Sequence, residues 1–315
     1  MSTHPGPGTI RGLRCLTTPD GRVAAVAVDQ RQALRKMLTT AGTDPSDAAL
    51  RSFKVGVARA VGDITPALLV DPQYGLPAVV ADSAISPRLA LMVAIEESGT
   101  LPWHGGKRSV ILSGWGPQQA HNASACAAKL LVYARPDHKP SFTHAVELME
   151  SVRTACRKAD IPYVLEILPY QLDDEDDTTY RAEFGRHVLA VAEAGDAHTP
   201  DLLKLAWPGA LGVEEPEAGG LKALAKLDSP WALLSAGAPF ETFERRIATA
   251  MDDGGAVGFI AGRALWQEAV GARDLDRALR DSARVRLERL LKLVNGRGHA
   301  LPLPLPPSTS GWHRA

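Results

Sequence analysis

A single eight-stranded parallel β/α (TIM) barrel is the fold class that this 315-residue sequence predicts. Three observations point to it. Short runs that are apolar throughout, rather than alternating, recur eight times, as parallel strands buried on both faces require. Longer stretches of helical periodicity separate them. Polar residues interrupt the runs mainly at their C-terminal ends, where such a barrel gathers its functional groups. An open, doubly wound sheet is the competing arrangement.

Taken in order, the strand runs are Val23–Asp29, Ala67–Asp71, Leu89–Ile95, Ala127–Tyr133, Tyr163–Ile167, Leu202–Ala206, Trp231–Ser235 and Val257–Gly262. Each is four to eight residues of mostly Val, Ile, Leu and Ala, too short for a buried helix. The helical patterns are Gln32–Ala41, Ser52–Val61, Ser141–Ala159, Ala182–Glu193 and Phe240–Asp252. Asp173–Asp177 is a run of five acids between a strand and a helix, which reads as a solvated loop. Leu301-Pro-Leu-Pro-Leu-Pro-Pro307 cannot continue a helix and reads as a tail. The expected organisation is an N-terminal extension over 1–20, a barrel over 21–296 and a Pro-rich tail over 297–315.

Composition narrows the function classes. Thirty-five Lys and Arg against 36 Asp and Glu give a formal net charge of -1, so no field favours nucleic acid or an anionic membrane. Hydrophobic residues are 45% of the chain, enough for a full core, and no run approaches the ~18 apolar residues of a spanning helix. The first 12 residues lack a signal-peptide core, and Cys15, Cys126 and Cys156 form no disulfide framework. The expectation is a soluble cytoplasmic protein. The outer helices of a barrel can pack on a second copy without any motif, so a homo-oligomer stays open.

Catalytic chemistry is read from the strand ends. Lys129 and Lys204 stand in apolar strands, where an ammonium needs a carboxylate, an anion or a lowered pKa. Desolvation and a neighbouring cation both favour the neutral amine that attacks a ketone. A purely structural pairing of each lysine with Glu166 or an aspartate is the plainer alternative. Glu166, set in Val164-Leu-Glu-Ile167, is expected to have a raised pKa and to move protons. Asp29, Gln30, Arg31 and Asp71 end the first two strands. Ser235 and Gly237 end the seventh strand, and Gly262 and Arg263 end the eighth, where barrels often bind phosphate. The nine histidines show no paired ligand spacing, so no metal is expected. No G-x-S-x-G elbow, Walker loop or G-x-G-x-x-G follows a strand, so neither a serine hydrolase nor a nucleotide cofactor has support.

These strand ends resemble those of the class I tagatose-bisphosphate aldolases and the related sulfofructosephosphate aldolases. The matching stretches are Ala27-Val-Asp-Gln-Arg31, Leu69-Val-Asp-Pro-Gln-Tyr-Gly-Leu-Pro77, Ala128-Lys-Leu-Leu-Val132, Leu165-Glu-Ile-Leu168, Asp201-Leu-Leu-Lys204, Leu234-Ser-Ala-Gly237 and Gly262-Arg-Ala-Leu-Trp266. They fall one per strand and in order. The resemblance implies a metal-free, cofactor-free enzyme acting on a phosphorylated keto-sugar, with Lys204 as the Schiff-base lysine and Lys129 and Glu166 as its neighbours. It further implies that Asp29 contacts substrate hydroxyls, and that Ser235, Gly237 and Arg263 hold the phosphate of the dihydroxyacetone phosphate half. Gln30 and Arg31 would lie toward the other anionic end. Both families usually follow the lysine with valine and glutamate, whereas here Leu205 and Ala206 follow it. The expected reaction is cleavage of a ketose 1,6-bisphosphate to dihydroxyacetone phosphate and glyceraldehyde 3-phosphate. Cleavage of a sulfofructose phosphate is the alternative within the family, and a non-catalytic sugar-phosphate sensor is the rival outside it.

Overall fold

A computed structural model of the chain describes residues 5–303. Eight parallel strands close into a barrel: β1 (Val23–Ala27), β2 (Ala67–Val70), β3 (Ala90–Ala94), β6 (Ala127–Tyr133), β7 (Tyr163–Leu168), β8 (Leu202–Leu205), β9 (Trp231–Leu234) and β10 (Gly258–Ala261), β1 pairing with β10. Two further strands, β4 (Leu101–Trp103) and β5 (Gly106–Arg108), form an antiparallel hairpin in the loop after β3. The closed ring excludes the open sheet.

Alternate strand residues serve two separate cores. The outward set, including Ala128, Leu130 and Val132 of β6 and Leu203 and Leu205 of β8, packs against the helices. The inward set is small, with Ala25, Ala27, Ala94, Ala127 and Ala232 beside Met92, Val164, Leu202 and Ile260. A barrel interior is a packed core, so narrow side chains leave room for the long stems of Lys129 and Lys204. The β1–β10 seam depends on Gly258, whose φ is +138° and where a Cβ would lie 1.9 Å from the Val23 carbonyl oxygen.

The structure departs from the sequence reading mostly at element ends and in the connections. Several barrel strands stop one or two residues short of the predicted limits, so Asp29, Asp71, Ser235 and Gly262 lie in the mouth loops. The second predicted helix, Ser52–Val61, starts earlier, as Asp47–Val61, because the Ser46 hydroxyl caps it from Ala49 N–H at 3.2 Å. The acidic run is not simply a solvated loop. Asp176 caps the helix Asp177–Asp196, and Glu175 pairs with the buried Arg135 at 2.5 Å.

The segment before β1 holds a helix, Pro7–Cys15, that closes the bottom of the barrel. Leu13 and Leu16 are buried there with Cys126, Val257 and Leu301. The Asp160 carboxylate accepts hydrogen bonds from Gly8 N–H (2.7 Å) and Thr9 N–H (3.0 Å). Leu301 thus anchors the start of the Pro-rich segment; the rest of that tail, 304–315, and residues 1–4 lie outside the described residues. No helix among the described residues is long and apolar enough to cross a membrane.

Candidate active site

Five strands converge their ends on one charged cluster. Register places Glu166 of β7 directly beside Lys204 of β8, and Leu131 of β6 beside Glu166. Lys129, two residues before Leu131 and on the same face, therefore lies just below Glu166. Glu166 Oε2 sits 2.8 Å from both Lys129 Nζ and Lys204 Nζ. Lys129 Nζ also donates to Asp29 Oδ2 and to Glu96 Oε1, each at 2.9 Å. Three ammonium protons meet three carboxylates, so this lysine is fully satisfied. Tyr133, four residues beyond Lys129, ends the same inward row.

The electrostatics differ from the sequence expectation at Glu166. Burial pushes its pKa up, but the charges of Lys129 and Lys204 outweigh burial and hold it below the ordinary glutamate value. The group is an ionised carboxylate between two cations, not a protonated acid in an apolar pocket. Asp29 behaves alike: burial raises it, and Lys129, Lys204 and Lys54 hold it far below the usual carboxylate range. For Lys129, burial lowers the pKa, yet Asp29, Glu166 and Glu96 together drive it well above that of free lysine.

A cavity of about 150 Å³ opens above this cluster. Lys204 and Glu166 face it, together with Gln30, Ser235, Ala236, Gly262 and Arg263. Lys129, only 1% exposed, lies behind its carboxylates and does not belong to the described lining. The opposite wall is apolar, with Leu168, Phe184, Ala206 and Leu234 packed around Val188. Ala206, at the position where the resemblance called for an acid, is part of this apolar wall.

Ser235, Gly237, Gly262 and Arg263 come together as one corner. Ser235 Oγ accepts a long 3.4 Å hydrogen bond from Gly262 N–H. Gly237, at φ +83°, allows the Arg263 guanidinium to lie against it; a Cβ would meet Arg263 Cζ at 3.2 Å. Two buried acceptors near the mouth have no partner among the described residues: Asp29 Oδ1 and Gln30 Oε1. Such atoms are costly unless something donates to them.

Arg31 lies beside the charged cluster. It is 5% exposed, and its guanidinium donates to the Glu96 carbonyl oxygen at 2.6 Å and to Gln73 Oε1 at 3.0 Å. Its Nη2 also lies 4.0 Å from the Glu96 carboxylate. It braces Glu96 from behind and is not among the described residues that line the cavity.

Glu96 is the residue that sequence reasoning missed. It stands two residues after the end of β3, holds Lys129, and accepts from Leu131 N–H at 3.0 Å. An acid immediately after the apolar run Leu89–Ile95 was the available signal. Among the described residues, no group of three or more His, Cys, Asp or Glu side chains is placed to hold a metal ion.

Comparison with known proteins gives the family of the chain. The model of the DeoC/LacD family aldolases matches residues 23–268. Tagatose 1,6-diphosphate aldolase 2 of Enterococcus faecalis is 28% identical over 81% of this chain and 82% of its own. Tagatose 1,6-diphosphate aldolase of Staphylococcus haemolyticus is 29% identical over 83% of this chain and 86% of its own. Among solved structures, an archaeal fructose 1,6-bisphosphate aldolase superposes with a TM-score of 0.62 at 18% identity, covering 91% of this chain and 99% of that one. Fructose-bisphosphate aldolase of Plasmodium falciparum superposes with a TM-score of 0.67 at 13% identity, covering 95% and 99%; at such identities the likeness speaks for the fold. With a family model matching most of its length and the barrel to go with it, the chain belongs to the DeoC/LacD aldolase family.

Proposed function

We propose that this chain is a class I aldolase that cleaves a ketose 1,6-bisphosphate of the tagatose type through an imine on Lys204. The observation that carries the reading is the unequal placement of the two lysines. Lys204 Nζ faces the cavity with one carboxylate partner, whereas Lys129 is enclosed by three. An amine must lose a proton before it attacks, and the ionised Glu166 stands 2.8 Å away to receive it. The relatives named as tagatose 1,6-diphosphate aldolases support the substrate class. A structural neighbour, an archaeal fructose-1,6-bisphosphate aldolase, is described with its catalytic lysine bound to the carbinolamine intermediate.

In this mechanism the Lys204 amine adds to the C2 carbonyl, and the carbinolamine loses water to an iminium with protons passing through Glu166. A carboxylate of the site takes the proton of the C4 hydroxyl as the C3–C4 bond breaks. Its electron pair moves into the iminium, and glyceraldehyde 3-phosphate leaves. Protonation of the enamine and hydrolysis then release dihydroxyacetone phosphate. Asp29 Oδ1 and Gln30 Oε1, both without partners, are the acceptors for substrate hydroxyls. Ser235, the Gly237 and Gly262 backbone and Arg263 receive the phosphate of the ketone half. Arg31 holds Glu96, and through it Lys129.

Borohydride reduction in the presence of dihydroxyacetone phosphate tests this reading. A stable adduct is expected on Lys204 and absent in Lys204→Arg, since a guanidinium stays protonated. An adduct on Lys129 would reverse the roles, and none on any lysine would favour a sensor. A substrate panel that includes sulfofructose phosphate then decides the sugar.

A further inference from the structure

Lys54 lies on the helix Asp47–Val61, outside the barrel ring, yet its side chain is fully buried at 0% exposure. Its ammonium has three acceptors: the Val28 carbonyl at 2.5 Å, the Gln30 carbonyl at 2.8 Å and Asp71 Oδ1 at 2.7 Å. All three of its protons are therefore used. Asp71 is equally buried and accepts from the backbone N–H groups of Gln73 (3.0 Å), Tyr74 (2.7 Å) and Gly75 (3.2 Å). The pair clamps the loops that follow β1 and β2. Burial pulls the Lys54 pKa below that of free lysine, with Asp71 as the main opposing charge. A buried pair of this kind contributes little net stability over an apolar replacement, so stability alone gives a weak reason for its presence.

The two carbonyls that Lys54 holds belong to the residues on either side of Asp29. The Val28 carbonyl lies in the peptide plane that enters Asp29 and the Gln30 carbonyl in the plane one residue beyond it, so holding both restrains the backbone that spans Asp29, and with it the direction of its side chain. That side chain places Oδ2 on Lys129 and leaves Oδ1 without a partner. We propose that Lys54 is a positioning residue for the cleavage step, acting through the Val28 and Gln30 carbonyls to aim Asp29 at the substrate hydroxyl. The inference rests on the role of Asp29 given above. Lys54 touches neither Lys204 nor Glu166, so imine formation does not depend on it.

The test is a double-mutant cycle on the full chain, combining Lys54→Met and Asp29→Asn, with tagatose 1,6-bisphosphate cleavage measured at excess enzyme so that residual turnover is readable. Lys54→Met is expected to lower kcat about ten- to hundredfold, the effect of ångström-scale misplacement of a reacting group. Borohydride trapping of dihydroxyacetone phosphate on Lys204 should stay within about twofold of the parent protein. In the Asp29→Asn background, Lys54→Met should add no further loss, because the group it aims is already gone. Multiplicative losses, or trapping that falls in step with cleavage, would overturn the proposal. If Lys54→Met alone does not fold, the neutral pair Lys54→Met with Asp71→Asn takes its place in the cycle; failure of both to fold assigns Lys54 a purely structural task. Absence of any Lys204 adduct in the parent protein would instead sink the functional reading itself, which keeps the two failures apart.

Discussion

Lys129 holds Asp29, Glu96 and Glu166 within 2.9 Å, and replacing it by methionine would strand these carboxylates in a buried site. Removing one partner of a buried ionic group costs about 3–5 kcal/mol. Lys129→Met should therefore lose stability of that order at pH 7, read from urea unfolding. The pH dependence has a definite sign. Asp29 and Glu166 are held below their ordinary values in the folded parent, so they contribute stability above their unfolded pKa values of about 4 and lose it as pH falls toward their folded ones. In the variant the stranded carboxylates take up protons at higher pH, so its deficit should shrink between pH 7 and about pH 4. A gap of constant size across that range would contradict the charge cluster. Arg263→Ala tests the phosphate corner. It should raise KM about ten- to hundredfold, equivalent to a charge-assisted contact of about 1.5–3 kcal/mol, with kcat far less affected. An unchanged KM would place the phosphate elsewhere.

Among the elements, the helix Pro7–Cys15 and the strand ends do separate work at opposite ends of the barrel. Leu13 is 1% exposed beneath the inward core, on the face away from the cavity. Leu13→Ala should cost about 2–5 kcal/mol, the range for a buried leucine truncation, while kcat for the folded fraction stays at the parent value. A fall in kcat at temperatures where the variant is fully folded would mean that the bottom helix is coupled to the mouth. The strands themselves were legible because each is a short, continuously apolar run. The bottom helix was not: Pro7, Gly8 and Gly12 weaken its local pattern, and it gains its place from Asp160, more than 150 residues away. The β4–β5 hairpin was missed for a similar reason. Its six strand residues carry no alternating apolar face, and Lys107 N–H reaches the Tyr170 hydroxyl at 3.0 Å only once the barrel has formed.

For the whole molecule, the chemistry concentrates at one end of a closed ring whose other end is apolar and plugged. In the proposed mechanism the iminium on Lys204 is the electron sink, and it needs no Lewis acid. Incubation with a chelator should thus leave cleavage activity intact. Loss of activity that zinc restores would overturn the Lys204 mechanism.

The eight barrel strands, their parallel character and the placing of Lys129, Glu166 and Lys204 within strands and of Arg263 just after one followed from sequence, because period and polar interruption are local properties of the chain; Lys129 lies third in the seven-residue β6 rather than at its end. Which lysine is open, why Glu166 is ionised and where Arg31 points did not follow. Those depend on partners brought together through space, such as Asp29 and Lys129 across 100 residues of chain. Burial and charge then act on a set that no single segment contains. Glu96 and Lys54 entered that set only when the β3 loop and an outer helix closed on the loop after β1. The pattern of residues determined the barrel, and the pairing of charges within the folded barrel, set against burial, decided which of them stay ionised.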